Sequence, residues 1–212
     1  MPFVACCGLL LPGMAEARTV FVNGAVAKPG KGGSWSTAFK YLRDALDQTR
    51  SGDVIYVAKG TYYPDDGESA FYGDREMSFE LSGQKIYGGF AGTETTLSQR
   101  NPAVNLTSLS GAIWDGENAS DFYSLHVMTV TKDSALDGVI VEDGHANGGH
   151  VWNYPNIGSY DEGGACYVES GNTLTLANCT FRNNLALADG GAIMIEDRKG
   201  KVIASNCLFE GN

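Results

Sequence analysis

The chain has 212 residues, a net charge of −10 at pH 7 and a pI near 4.7, with no basic run, so no nucleic-acid partner is expected. Hydrophobic residues make up 43% and charged residues 19%, so the chain is packed and not disordered. Its 28 glycines are about twice the usual share of roughly 7%, and without a Gly-X-Y period they exclude collagen and indicate many tight turns between short strands.

Residues 1–17 differ from the rest. Phe3 to Met14 is apolar, and Ala15-Glu16-Ala17 supplies the small residues of a cleavage site, although the first positive charge is Arg18. This predicts a secretory signal with a truncated basic end, and hence a secreted, extracellular or outer-membrane protein. Cleavage would remove Cys6 and Cys7 and leave Cys166, Cys179 and Cys207. No later run of 18 apolar residues occurs, so no membrane-spanning helix is expected.

Residues 18–52 read as an N-terminal cap. Ser36 is the expected N-cap of a helix reaching Gln48, with Phe39, Leu42, Ala45 and Leu46 on its apolar stripe and Gly52 beyond its end. From 53 onward strands dominate. Asp53 to Tyr62, Ile86 to Phe90 and Leu125 to Thr131 have strand character, and a polar acidic loop from Pro64 to Glu76 carries Asp65, Asp66, Glu68, Asp74 and Glu76.

The last fifty residues repeat. Gly163-Gly164-Ala165-Cys166 returns as Gly190-Gly191-Ala192-Ile193, and Asn178-Cys179-Thr180-Phe181-Arg182-Asn183-Asn184 returns as Asn206-Cys207-Leu208-Phe209-Glu210-Gly211-Asn212. Leu174, Leu176, Cys179 and Phe181 alternate with polar residues and are matched by Val202, Ala204, Cys207 and Phe209. A unit this small cannot bury its own apolar face, so it must lie on its copies in a stack of parallel strands. Buried Leu174, Leu176, Phe181, Val202 and Phe209 are expected, with asparagine over asparagine and Cys179 beside Cys207 as free thiols. A weaker copy, Asp137 to Asp143, aligns with Asn178 to Asn184 and sets Ile140 against Phe181. The surplus residues between them form a loop, His145 to Glu162, that leaves the wall. The fold class is therefore all-β: a right-handed single-stranded parallel β-helix over 53–212 with an N-terminal capping helix.

From Thr19 to Asn212 the chain resembles the right-handed β-helix repeat proteins of bacterial surfaces, and most closely the chlamydial polymorphic outer-membrane protein repeats. The resemblance lies in the two G-G-A tetrads, in Phe181-Arg182-Asn183-Asn184 and in Phe209-Glu210-Gly211-Asn212, although Cys166 replaces the aliphatic residue of the first tetrad. Ser34 to Phe39, Gly60-Thr61-Tyr62 and Tyr87 to Glu94 are similar to the N-terminal module of such exported proteins. The resemblance implies an exported scaffold or adhesin, such as an autotransporter passenger, presenting loops to a glycan or a host or cell-surface protein. One fold hosts several functions, so an enzyme of the pectate-lyase type is carried beside it as the alternative.

The residues offer few catalytic groups. Asp143 with Asp161 and Glu162 is a candidate carboxylate group at the base of the inserted loop. His145 and His150, five residues apart, are candidate metal ligands. Trp152, Tyr154 and Tyr160 are the candidate ligand-binding aromatics. No charged ladder is expected at repeat spacing, and no cofactor, although an acidic surface leaves Ca²⁺ open. The last repeat has nothing after it, so the chain is expected to continue beyond Asn212 and, in this form, to self-associate end to end.

Overall fold

Period-two alternation makes a strand only where one face is buried, and here the burial comes from stacking each strand on a later copy of itself. The computed structural model describes residues 16–67, 74–113, 122–148 and 160–212, so the signal segment up to residue 15 lies outside the described residues. The architecture is all-β with parallel sheets. The first sheet runs β1 (Thr19–Val22), β2 (Val54–Ala58), β5 (Lys85–Phe90), β8 (Ser134–Asp137), β12 (Thr173–Ala177), β16 (Lys201–Ser205). The second runs β4 (Phe79–Ser82), β7 (Met128–Lys132), β11 (Cys166–Val168), β15 (Ile193–Ile195). The third runs β3 (Gly60–Tyr62), β6 (Thr107–Ser110), β9 (Ile140–Glu142), β13 (Thr180–Arg182), β17 (Leu208–Glu210). A short pair, β10 (His145–Ala146) and β14 (Leu185–Ala186), completes them.

From β4 onward the chain visits the second, first and third sheets in that order, and each strand pairs in parallel with the next of its sheet. Inward side chains therefore form columns. Val20, Ile55, Ile86, Leu136, Leu176 and Ala204 are register partners in the first sheet. Phe79, Met128, Cys166 and Ile193 are partners in the second. Tyr62, Leu109, Val141, Phe181 and Phe209 are partners in the third. Phe181 is fully buried and stacks on Phe209 with centroids 5.0 Å apart and rings inclined by 12°. Phe209 is 45% exposed and Val202 only half-buried, contrary to expectation, because β16 and β17 have a neighbour on one side only.

The weak copy sits one residue away from its expected register. Val141, not Ile140, lies against Phe181 and is buried, while Ile140 faces outward against Thr180. Backbone shape explains the offset. Gly138, Asn178 and Asn206 all turn with positive φ (74°, 51°, 51°), as do Asp143 and Asn183 (62°, 56°), so the left-handed corners are what superpose. The surplus residues fall in the β10–β11 connection, which runs from 147 to 165 whereas β14–β15 needs only 187 to 192; His145 and Ala146, expected in the loop, instead form β10 and pair with β14.

The repeat motifs are corner devices. Asn184 is 1% exposed; its Oδ1 accepts the Gly144 N–H (3.0 Å) and its Nδ2 donates to the carbonyls of Val141 (3.1 Å) and Arg182 (3.0 Å) and to Asn212 Oδ1 (2.7 Å). Asn206 Nδ2 donates to Asn178 Oδ1 (2.7 Å), and Asn178 Nδ2 to Asp137 Oδ1 (2.8 Å), so the expected asparagine stacking is present. Within the first G-G-A tetrad, a Cβ on Gly164 would lie 2.3 Å from the Leu185 carbonyl oxygen, so only glycine lets these backbones approach.

The N-terminal helix is shorter than expected. Trp35–Thr37 is a 3₁₀ turn, Phe39 is extended and bridges to Val22, and α1 spans Leu42–Gln48, so Ser36 does not cap it. It ends at Thr49, whose N–H returns to the Leu46 carbonyl, before Gly52 is reached. Leu42, Ala45 and Leu46 are buried, and α1 packs against β1 and β4, standing where later circuits place a second-sheet strand. The N-terminal module forms one unit, in which Trp35 Nε1 donates to the Glu94 carbonyl (2.7 Å) and packs against Phe21 and Phe90.

Because Phe181 fills the interior and Phe209 only half does, Phe181→Ala is expected to cost about 3–5 kcal/mol and Phe209→Ala about 1 kcal/mol. Urea unfolding of the two variants measures the difference; equal losses would contradict the assignment of the buried rung.

Candidate functional site

Along the third sheet the residues flanking each inward side chain point outward and make two rows. One consists of Ser108, Ile140, Thr180 and Leu208, and the other of Ser110, Glu142, Arg182 and Glu210. Ile140, Thr180 and Leu208 of the first row line a groove of about 800 Å³, together with residues between Leu97 and Thr107 on one side and the Gly138, Asn178 and Asn206 corners on the other. Leu106, 55% exposed, gives the groove apolar surface. Arg100 is the groove's one charged lining residue, and it is paired with Asp137 at 2.7 Å, so the lining is neutral, with amides, hydroxyls and aliphatic groups.

The second row is charged, which corrects the expectation that no charged ladder occurs at repeat spacing. Arg182 Nε contacts Glu142 Oε2 at 2.7 Å, the Ser108 hydroxyl donates to Glu142 Oε1, and Glu210 is the register partner of Arg182. A one-residue error in aligning 137–143 hid this row, since it placed Glu142 opposite Asn183.

Asp143 stands at the end of this row, with Ser110 Oγ donating to its Oδ2 (3.1 Å). Burial raises its pKa against the lowering effect of that hydrogen bond, and the neighbouring Glu142 charge adds to the rise. His145, on β10, stacks on Tyr123 (centroids 3.7 Å apart), and burial holds its pKa below the ordinary value, with Asp143 opposing and Arg75 reinforcing. Tyr63 belongs to the same neighbourhood: burial raises its hydroxyl, followed by the charges of Asp66, Glu142, Asp143 and Asp65.

The other expected residues fall elsewhere. The charges that shift Asp143 are those of Glu142, His145 and Arg182, whereas Glu162 acts on Tyr167 beside the second sheet. The Asp161 carbonyl accepts the Ala188 N–H (2.9 Å) and ties the loop base to the connection after β14. The Tyr160 hydroxyl is raised first by burial and then by the charge and hydrogen bond of Glu76, so this ring docks on the loop before β4. Trp152, Tyr154 and His150 lie outside the described residues. His126 bonds the Gly163 carbonyl through Nδ1 (2.9 Å). Among the described residues no group of three or more His, Cys, Asp or Glu is placed to hold a metal ion, and no helix is long and apolar enough to cross a membrane.

Sequence reasoning missed Arg75. Its Nε donates to the Tyr123 carbonyl (2.7 Å), and its Nη2 to the His145 carbonyl (3.1 Å) and to Asn147 Oδ1. It thereby joins the stem before β4, the segment before β7 and the stem after β10. No pattern marks it, because its partners are mostly backbone groups. No family model, curated protein or solved structure matches the chain, so the resemblance rests on the tetrads themselves.

Two outcomes follow from this geometry. Arg75→Ala is expected to lose about 2–4 kcal/mol of stability, with Arg75→Lys recovering little, since one ammonium cannot reach three acceptors; unfolding curves and hydrogen exchange at Tyr123 and His145 measure it. Asp143→Asn tests the raised carboxyl. A carboxyl whose folded pKa exceeds its unfolded value supports folding while protonated and weakens it as pH rises through the folded value. The asparagine variant should therefore match the parent at low pH and exceed it above the ordinary carboxylate range, helped by the asparagine preference for positive φ. Unfolding free energies across pH 3–8 (a range set by carboxyl and histidine titration) decide it, and a variant weaker at neutral pH would contradict the desolvation.

Proposed function

We propose that the protein is an exported right-handed parallel β-helix scaffold that binds an extracellular glycan or a cell-surface protein on the outer face of its third sheet. The single coil is the reading that links the three sheets: each full circuit visits them in one order, and parallel crossovers are right-handed in about 98% of cases. Export is supported by the apolar Phe3 to Met14 segment and its Ala15-Glu16-Ala17 boundary.

The observation that carries binding is the neutral groove beside the Glu142–Arg182 pair. Its floor offers Thr180, Asn178 and Asn206 alternately with Ile140 and Leu208, and the nearby charges are already engaged by protein partners. Preformed polar and apolar contacts of this kind suit recognition of an uncharged polymer or a protein surface better than proton transfer.

A polysaccharide lyase is the second reading, favoured by one feature: Asp143, with a raised pKa, shares its surroundings with Arg182, His145 and Tyr63. A lyase needs such a base and a cation for the uronate carboxylate.

Glycan-array and cell-binding measurements on the full chain separate the two. Thr180→Arg, which fills the groove, is expected to weaken binding at least about tenfold. Pectate and alginate, with or without Ca²⁺, are expected to yield no unsaturated product. Unsaturated product from the parent that disappears in Asp143→Asn would replace the scaffold with the lyase.

A further inference from the structure

We propose that Cys179 and Cys207 form a paired modification site, which a low-molecular-weight disulfide such as oxidised glutathione converts into a disulfide joining two successive circuits. The pairing of Thr180 with Leu208 sets the two cysteines opposite each other, and the Cys179 carbonyl accepts the Leu208 N–H at 2.9 Å. Each follows an asparagine with φ 51°, so the two backbones enter their strands alike. Adjacent strands lie roughly 4.8 Å apart, inside the Cα window of about 4.4–6.8 Å for a disulfide. Parallel side chains need a small approach of one strand, and β17, bonded only to β13, can make it.

The two thiols differ in access. Cys179 is 1% exposed, its Sγ directed at the Ala177 carbonyl (3.1 Å), whereas Cys207 is half-buried, and both line the groove. Burial also pushes the Cys179 thiol up to about 11, which disfavours it as the first nucleophile. Cys207 therefore attacks first. Its thiolate bonds one sulfur of glutathione disulfide, the S–S bond breaks, and one glutathione thiolate leaves and takes up a proton. Cys179 then gives up its proton and attacks the Cys207 sulfur of the mixed disulfide, expelling the second glutathione thiolate. One S–S bond replaces two S–H bonds in the protein, and one glutathione disulfide becomes two thiols. Cys166 lies in the second sheet between Met128 and Ile193 and has no thiol register partner.

The test is intact-mass and peptide mapping of the full chain after incubation with oxidised glutathione. In the parent and in Cys166→Ser the Cys179 and Cys207 peptides should be linked with the loss of two hydrogens, and carry only a trace of glutathione adduct. Cys179→Ser should accumulate the Cys207–glutathione adduct on its Cys207 peptide, because the resolving thiol is gone, and Cys207→Ser should leave its Cys179 peptide unmodified. Hydrogen exchange over 201–210 should slow about tenfold in the oxidised parent, since a cross-link removes freedom from the open chain. A parent that stops at the Cys207 adduct, links through Cys166 or does not react overturns the proposal.

Discussion

Parallel strands stacked in register force every corner onto the same spot as the corner before it, and the backbone groups freed by each turn then face inward with no strand to pair with. A buried amide left unpaired costs about 1–3 kcal/mol, so a stack without a corner device would lose that amount at every circuit. Asn184 is the device here. One side chain serves the Gly144 N–H, the Val141 and Arg182 carbonyls and Asn212 Oδ1, linking three circuits. Asn212 Nδ2 repeats the pattern by donating to the Phe181 carbonyl (2.9 Å). The phenylalanine column depends on these bonds, because Phe181 can meet Phe209 only if the corners hold the register.

The same constraint decides where the chain can vary. With inward positions committed to apolar columns, variation is confined to outward rows and to connections. The third sheet uses its rows for a neutral strip and a charged strip side by side, and the longer connections leave near Arg75. Arg75 therefore does for the excursions what Asn184 does for the corners, holding carbonyls of distant segments with one planar side chain.

Much of this was legible in the sequence. The Leu174, Leu176, Phe181 alternation announces its buried face, and the two tetrads announce their spacing. The weaker copy was misread because Ile140 and Val141 are both β-branched and apolar, so hydrophobicity alone could not choose between them. The choice is made by left-handed corners, where Gly138 and Asp143 are conformationally equivalent to Asn178 and Asn183 without being identical. A slip of one residue turns every side chain to the opposite face, which is why Glu142 was set opposite Asn183 and not opposite Arg182. The helix boundary failed for a different reason. Ser36 has the chemistry of an N-cap, but Phe39 is drawn into a bridge with Val22, and tertiary pairing outweighs a local cap.

The charged row is more informative about specificity than about stability. Arg182 is 41% exposed, and an ion pair so placed contributes about 0–1 kcal/mol to folding. Its value lies in geometry. Glu142 fixes the guanidinium edge-on, through Nε, while its other oxygen takes the Ser108 hydroxyl, so a planar cation is held beside an uncharged groove. On the binding reading proposed above, such an arrangement suits a ligand that presents hydroxyls or carbonyls to the groove and one acceptor to its rim. A protein of net charge −10 repels polyanions at long range, and this short-range cation does not reverse that field. On the binding reading proposed above, that field favours neutral ligands over uronate polymers.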